Sequence, residues 1–196
     1  MKSTKHKELP TVAQLQTELA RMNYKSRYSQ TLRSTVYILI VVAAVAVLLA
    51  TLLFPVFRIY GTSMSPTVNE GEIVVSLKGS KFQQGDVVVL SYNNKLLVKR
   101  VIASPGQWVD IDLEGNVYVD EQLVEEPYLQ QKAFGDCTIA LPYQVPDGRY
   151  FVLGDNRASS QDSRNAIVGC FADEEIVGKA LFRIWPLNAF GVLNNN

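Results

Sequence analysis

The 196-residue sequence predicts a mainly β domain of small twisted sheets or a partial barrel, preceded by one N-terminal membrane-spanning helix. Three observations carry this. A continuous apolar run occupies Val36–Phe54, short β-rich segments punctuated by turn residues follow from residue 70, and no helical periodicity of ten residues or more appears after the run. Charge divides the chain in the same way. Residues 1–33 carry seven Lys/Arg against Glu8 and Glu18, residues 34–57 carry no charge, and the remainder holds 12 basic and 17 acidic residues, so a net charge of zero conceals a +5 segment and a −5 segment. The organisation expected is a basic cytoplasmic tail over 1–33, a transmembrane anchor over 34–57 and an extracytoplasmic domain over 58–196.

The nineteen residues Val36–Phe54 would form a helix of about 28 Å, close to the roughly 30 Å hydrocarbon core of a bilayer. Thr51 is the one clearly polar residue in the run, and its hydroxyl can bond the preceding turn. A buried helix of a soluble protein is seldom apolar on every face for this length. A cleaved leader would be shorter and end in small residues, which Phe54-Pro55-Val56-Phe57-Arg58 does not offer. Lys2, Lys5, Lys7, Arg21, Lys25, Arg27 and Arg33 precede the run, so the positive-inside rule predicts a cytoplasmic N-terminus. Within the tail, Leu9, Val12, Leu15, Leu19 and Met22 make only a weak stripe after Pro10, and a solvated, lipid-proximal segment is expected there.

In the exterior part, strands are expected at Glu72–Leu77, Asp86–Tyr92, Lys95–Ala103, Trp108–Leu113, Val117–Asp120, Arg149–Leu153 and Ile176–Ile184. Asn93-Asn94 and Glu114-Gly115-Asn116 are the turns of two hairpins.

The sequence also limits the chemistry. Its single histidine, His6, lies in the tail, which excludes a Ser-His-Asp hydrolase, a Cys-His protease and a multi-histidine zinc site. Cys137 and Cys170 are too few for a four-thiolate site or a disulfide framework, and unpaired thiols are expected. Three clusters remain. Gly61-Thr62-Ser63-Met64-Ser65-Pro66-Thr67 is a small-residue loop, by composition equally a linker. In Leu97-Val98-Lys99-Arg100-Val101-Ile102, alternation places one of two adjacent cations on a largely apolar face. That cation either snorkels to water from an edge strand or is a desolvated lysine whose amine loses its proton readily. Gly154–Arg164 follows a strand and is dense in Asp, Ser, Arg and Asn, with two Asp-to-Arg spacings of two residues that favour a hydrogen-bond network over a solvated loop. Together they supply a serine, a candidate neutral lysine and a polar orienting loop. Without an exterior histidine, the base available to a serine is lysine.

At these residues the chain resembles the bacterial type I signal peptidases, membrane-anchored Ser-Lys proteases that remove secretory signal peptides. The similarity covers roughly residues 55–190 and is carried by Gly61 to Thr67, Gly85-Asp86-Val87-Val88, Val98-Lys99-Arg100-Val101, Gly154 to Arg164 and Phe182-Arg183-Ile184-Trp185-Pro186. One N-terminal span and a short exterior domain is the layout of the Gram-positive members. The resemblance implies a coiled β-sheet catalytic core, Ser63 as acylated nucleophile, Lys99 as general base, and Met64 as a residue shaping the substrate cleft. It implies that Ser160 hydrogen-bonds the lysine amine and that Asp162 and Arg164 form a buttressing ion pair. It implies no metal or cofactor, a single-pass enzyme acting outside the cell membrane, and secretory preproteins with small residues at −1 and −3 as substrates. The lipid bilayer is a further partner, no nucleic acid is bound, and a monomer is expected.

The sequence departs from the family at Gly61, where some members carry a serine assisting the oxyanion hole, which leaves the second oxyanion donor unassigned. It departs also at Ala103 and Gln107, in place of the commoner Gly and Asp, and in a longer Asn165–Gly169 stretch. Two other classes compete. A self-cleaving repressor shares Ser-Lys chemistry but is soluble and needs a DNA-binding domain larger than residues 1–33. A membrane-tethered sensor or adhesion module would not process a precursor.

Overall fold

The structure is a computed structural model describing residues 11–79 and 81–193; His6, Lys2, Lys5 and Lys7 lie outside the described residues. The chain divides into a helical unit ending at Leu49 and a β unit beginning at Ala50. One helix, α1, runs over Val12–Leu53. No Gly or Pro interrupts it, while Pro10 precedes and Pro55 follows it. The absence of a breaker explains why the helix does not start at the apolar run. Once an apolar half has nucleated a helix, each further residue adds a hydrogen bond at little cost. The weak stripe expected after Pro10 is accordingly part of a continuous helix from Val12, and its described side chains are solvent-exposed. The Val36–Phe54 stretch has no buried residue and is long and apolar enough to cross a membrane.

Among the described residues twelve strands follow: β1 Val56–Arg58, β2 Ile73–Leu77, β3 Val87–Tyr92, β4 Lys95–Ala103, β5 Trp108–Ile111, β6 Val117–Val119, β7 Gln122–Leu123, β8 Tyr143–Gln144, β9 Arg149–Leu153, β10 Phe171–Ala172, β11 Ile176–Trp185 and β12 Gly191–Val192. They form two sheets, β1-β2-β11-β3-β4-β9-β10 with β12 on β11, and β7-β6-β5-β8. The architecture is mostly β, and the sheets do not close into a barrel.

The β3–β4 hairpin turns at Asn93 and Asn94, with φ of 48° and 60°, the left-handed pair that a two-residue hairpin requires. β11 pairs with β3 through its first residues and with β2 through its last, with irregular register at Ile176/Gly178, Ala180/Phe182 and Arg183/Trp185. Such bulges bend a strand and increase its twist, so the large sheet curls. In consequence β1, at one end of the sheet order, and the start of β4 line a common cleft.

Three apolar clusters hold the unit together. One packs Ile102, Phe151 and Leu153 of the large sheet against Val109, Ile111 and Val117 of the small one. A second, of Ile59, Met64, Val68, Val74, Val87, Ala180 and Leu193, lies beneath the Gly61–Thr67 loop. The third joins Phe82, Val88, Leu90, Val101, Val152 and Phe171.

Strand β1 was not foreseen. It straddles the expected boundary between the 34–57 anchor and the 58–196 domain, where three residues after an apolar run carry no alternation of their own. The chain from Leu53 onward is tied to the sheet, because Lys78 N–H donates to the Leu53 carbonyl at 3.0 Å and Ser76 N–H to the Pro55 carbonyl at 3.0 Å.

Candidate active site

The two adjacent cations of β4 are buried, Lys99 at 3% and Arg100 at 0% exposure, because apolar clusters and the Gly154–Arg164 loop cover both faces of that part of the strand. Neither snorkels, and their surroundings differ. Arg100 is saturated. Its Nε and Nη2 donate to the two carboxylate oxygens of Asp155 at 2.9 and 2.7 Å, its Nη1 donates to the Gly85 carbonyl at 2.6 Å, and its guanidinium stacks 3.7 Å from the ring of Tyr128. Among the described residues the Lys99 amine has one hydrogen-bond partner, donating from Nζ to Ser160 Oγ at 3.1 Å. Its desolvation pulls the ammonium pKa from 10.5 down to about 8. The nearby Asp162 carboxylate opposes that shift, and Arg164 adds to it.

Gly154–Arg164 is a built network. Asp162 and Arg164 form a two-pronged ion pair, Nε to Oδ1 at 2.8 Å and Nη2 to Oδ2 at 2.9 Å, and Asp162 Oδ2 also accepts from Gly154 N–H at 3.0 Å. Arg164 donates further to the Phe134 carbonyl at 2.7 Å and the Arg157 carbonyl at 2.9 Å. The first Asp-Arg spacing behaves differently from the second. Asp155 pairs with Arg100, whereas Arg157 pairs with Glu126 and donates from Nε to the Gly154 carbonyl at 3.1 Å. All six of these charged side chains are buried. Sequence reasoning missed Glu126, since nothing in the turn-like stretch around it marks a buried carboxylate.

The Gly61–Thr67 loop is clamped onto this network. Asn156 donates its backbone N–H to the Ser63 carbonyl at 3.0 Å and its side-chain amide to the Thr62 carbonyl at 3.3 Å. Thr67 Oγ1 donates to Asp155 Oδ2 at 2.5 Å. Gly154 sits at the junction. A Cβ there would lie 2.1 Å from Ser160 Oγ and 2.5 Å from the Ser63 carbonyl oxygen, so those two oxygens approach within a single side chain's width. Ser63 is half-buried, and neither its hydroxyl nor its N–H makes a hydrogen bond among the described residues. Gly154 thus lies against both the Ser63 carbonyl and the Ser160 hydroxyl to which Lys99 donates, while Ser63 Oγ and Lys99 Nζ make no hydrogen bond with each other among the described residues. Gly61 adopts φ +83°, a conformation that a serine there would enter only under strain.

Ser63 and Met64 open onto a cleft of about 500 Å³ whose walls are Val56–Gly61 on one side and Lys95–Val98 on the other. Both walls present unpaired strand edges. β1 pairs with β2 alone, and β4, bonded to β3 along Lys95–Arg100, meets β9 only from Arg100 onward. Cys137 and Cys170 are free, and burial pushes the Cys170 thiol up to about 11.

The family described as signal peptidase, peptidase S26, matches residues 32–185. A signal peptidase I of Bacillus amyloliquefaciens is 37% identical over 161 residues, which cover 76% of this chain and 86% of that protein. Signal peptidase I S of Bacillus subtilis is 35% identical over 162 residues, with 76% and 87% covered. A crystal structure of a signal peptidase I from Enterococcus faecalis aligns over 51% of this chain and 97% of its own at 27% identity, with a TM-score of 0.44.

Proposed function

This chain belongs to the signal peptidase family, peptidase S26, whose members are serine endopeptidases that remove signal peptides, and on that premise we propose that it works through a Ser63–Lys99 dyad at the outer face of the cell membrane. The observation that carries the reading is the state of Lys99. It is a buried lysine with a lowered pKa and one neutral partner, on a strand whose free edge lines the cleft that Ser63 enters.

In the reaction, neutral Lys99 takes the proton of Ser63 as Oγ attacks the scissile carbonyl carbon. The oxyanion that forms is stabilised by the free Ser63 N–H among its donors. Collapse breaks the C–N bond, the Lys99 ammonium returns its proton to the leaving amine, and the acyl group remains on Ser63. A water molecule deprotonated by the same amine then hydrolyses the ester. Ser160 holds the amine without imposing a charge on it. Asp162 and Arg164 are positioning residues that fix the loop carrying Ser160.

The substrate enters as an extended strand between the edges of β1 and β4, its backbone pairing with theirs and its alternate side chains entering pockets. The apolar cleft walls suit a secretory preprotein with small residues at −1 and −3. The basic N-terminal segment and the apolar half of α1 support a single-pass anchor with a cytoplasmic N-terminus and an exterior catalytic unit. Ser63 is nine residues beyond Phe54, within about 32 Å of the span's end, so cleavage takes place near the surface from which translocated leaders emerge.

Incubating the detergent-solubilised protein with a secretory precursor tests this reading. The wild type should yield mature product, and Ser63→Ala should yield none while melting at the wild-type temperature. Product from Ser63→Ala at the wild-type rate would end the assignment.

A further inference from the structure

The cleft beside Ser63 has two charged side chains on its walls, and both are cations. Arg58 projects from β1 and Lys95 from the first residue of β4, on opposite sides. Both are exposed. Among the described residues neither has a carboxylate partner, and the Arg58 guanidinium lies 6.0 Å from the Tyr60 ring centroid. No acidic side chain lines this cleft, although acids outnumber bases 17 to 12 over residues 58–196. A cationic spot at a binding groove in an otherwise anionic domain selects for negative charge in what binds there.

The register says which part of a substrate meets it. Lys95 and Lys99 lie on one face of β4, four residues or about 13 Å apart. A strand paired to the free Lys95–Lys99 edge covers that distance in four of its own residues. With the scissile carbonyl beside Ser63 and Lys99, the substrate residue beside Lys95 lies about five from the cut. Its direction follows from the chain. The Val56–Arg58 end of the cleft begins three residues after the helix ends at Leu53, and the substrate's apolar leader, which precedes the cut, shares that bilayer.

We infer that Arg58 and Lys95 form a subsite for an acidic side chain about five residues before the cleavage point, a specificity element that rests on the proposed signal-peptide processing and extends it beyond the two small residues next to the cut.

The test uses the full chain in uncharged detergent and precursors that retain small residues at −1 and −3 while carrying Glu, Gln or Lys singly at −4, −5 or −6. At one of these positions kcat/KM should fall in the order Glu, Gln, Lys, by about threefold per step, as expected of an exposed ion pair. The order should flatten in Lys95→Glu, which leaves Arg58 beside one carboxylate, reverse in the double variant Arg58→Glu with Lys95→Glu, and flatten in the wild type at high salt. Equal kcat/KM for the three residues at every position, or an unchanged order in Lys95→Glu, overturns the subsite. So does a loss of rate in Arg58→Glu and Lys95→Glu that appears only with phosphatidylglycerol vesicles and is the same for Glu and Lys precursors, which would assign the cations to the lipid surface. Cleavage of no precursor by the wild type would overturn the parent reading and this one with it.

Discussion

Changing nothing but pH tests the role of Lys99 most directly. With its pKa held at about 8, roughly one amine in ten is neutral at pH 7, against about one in three thousand for a lysine at 10.5. The structure thus supplies about a 300-fold gain in usable base. In a precursor-cleavage assay, kcat/KM, which reports the free enzyme, should rise about fiftyfold between pH 6 and pH 8 and level off above that. A bound substrate removes more water from the amine, so the limb in kcat should lie at lower pH still. Stability supplies an independent readout. The folded-state pKa lies below the unfolded one, so between about pH 8 and 10.5 the unfolded chain binds more protons at this site, and stability rises with pH across that window. Below it, burying the ammonium costs about 3 kcal/mol, of which the Ser160 hydrogen bond returns about 1. Lys99→Met should therefore be inactive yet about 2 kcal/mol more stable than wild type at pH 7, by denaturant titration, and that advantage should shrink as pH rises toward 10. Lys99→Arg should be inactive at every pH. A rate flat from pH 6 to 9, a limb near pH 10, or substantial activity in Lys99→Arg would refute the assignment of the base.

Asp162→Ala strands the buried Arg164 guanidinium and removes an acceptor from Gly154 N–H, so it should cost about 3–5 kcal/mol in thermal or denaturant unfolding and lower activity with it; an unchanged melting temperature would argue against a structural ion pair. Gly154→Ala places a methyl group against Ser160 and the Ser63 carbonyl, so kcat should fall by at least tenfold in single-turnover cleavage; wild-type kcat would show that the two oxygens need not approach so closely. A chain beginning at Leu53 keeps β1 and its bonds to β2, and should cleave short peptides as the full chain does but membrane-bound precursors more slowly, since the anchor concentrates enzyme and substrate on one surface; equal rates on both would remove that role.

What could be read from the sequence was what local pattern encodes. The β4 and β9 boundaries, the Asn93-Asn94 turn and the exposed apolar half of α1 follow from alternation, turn chemistry and length. Strands β7, β8, β10 and β12 have two residues each, too few for any alternation to register, and they exist because a neighbouring edge is available. The site divides along the same line. Alternation placed a cation of β4 on an apolar face, but burial of its neighbour depends on Asp155, 55 residues away in sequence. Asp155–Arg157 and Asp162–Arg164 share one spacing, yet only the second is a pair, because Arg157 meets Glu126 across 31 residues. Composition alone could not distinguish the Ser63 loop from a linker. What distinguishes it is the Asn156 clamp, made by a residue 93 positions later.

The paired free edges of β1 and β4 bear on how a catalytic cycle ends. If recognition rests on backbone pairing and on side chains that precede the cut, hydrolysis releases the mature chain at once but leaves the severed leader with nearly every contact it had as substrate. Turnover would then depend on how quickly the leader is drawn out or degraded, and an enzyme working on many precursors in one membrane would be paced by the clearance of its own by-product.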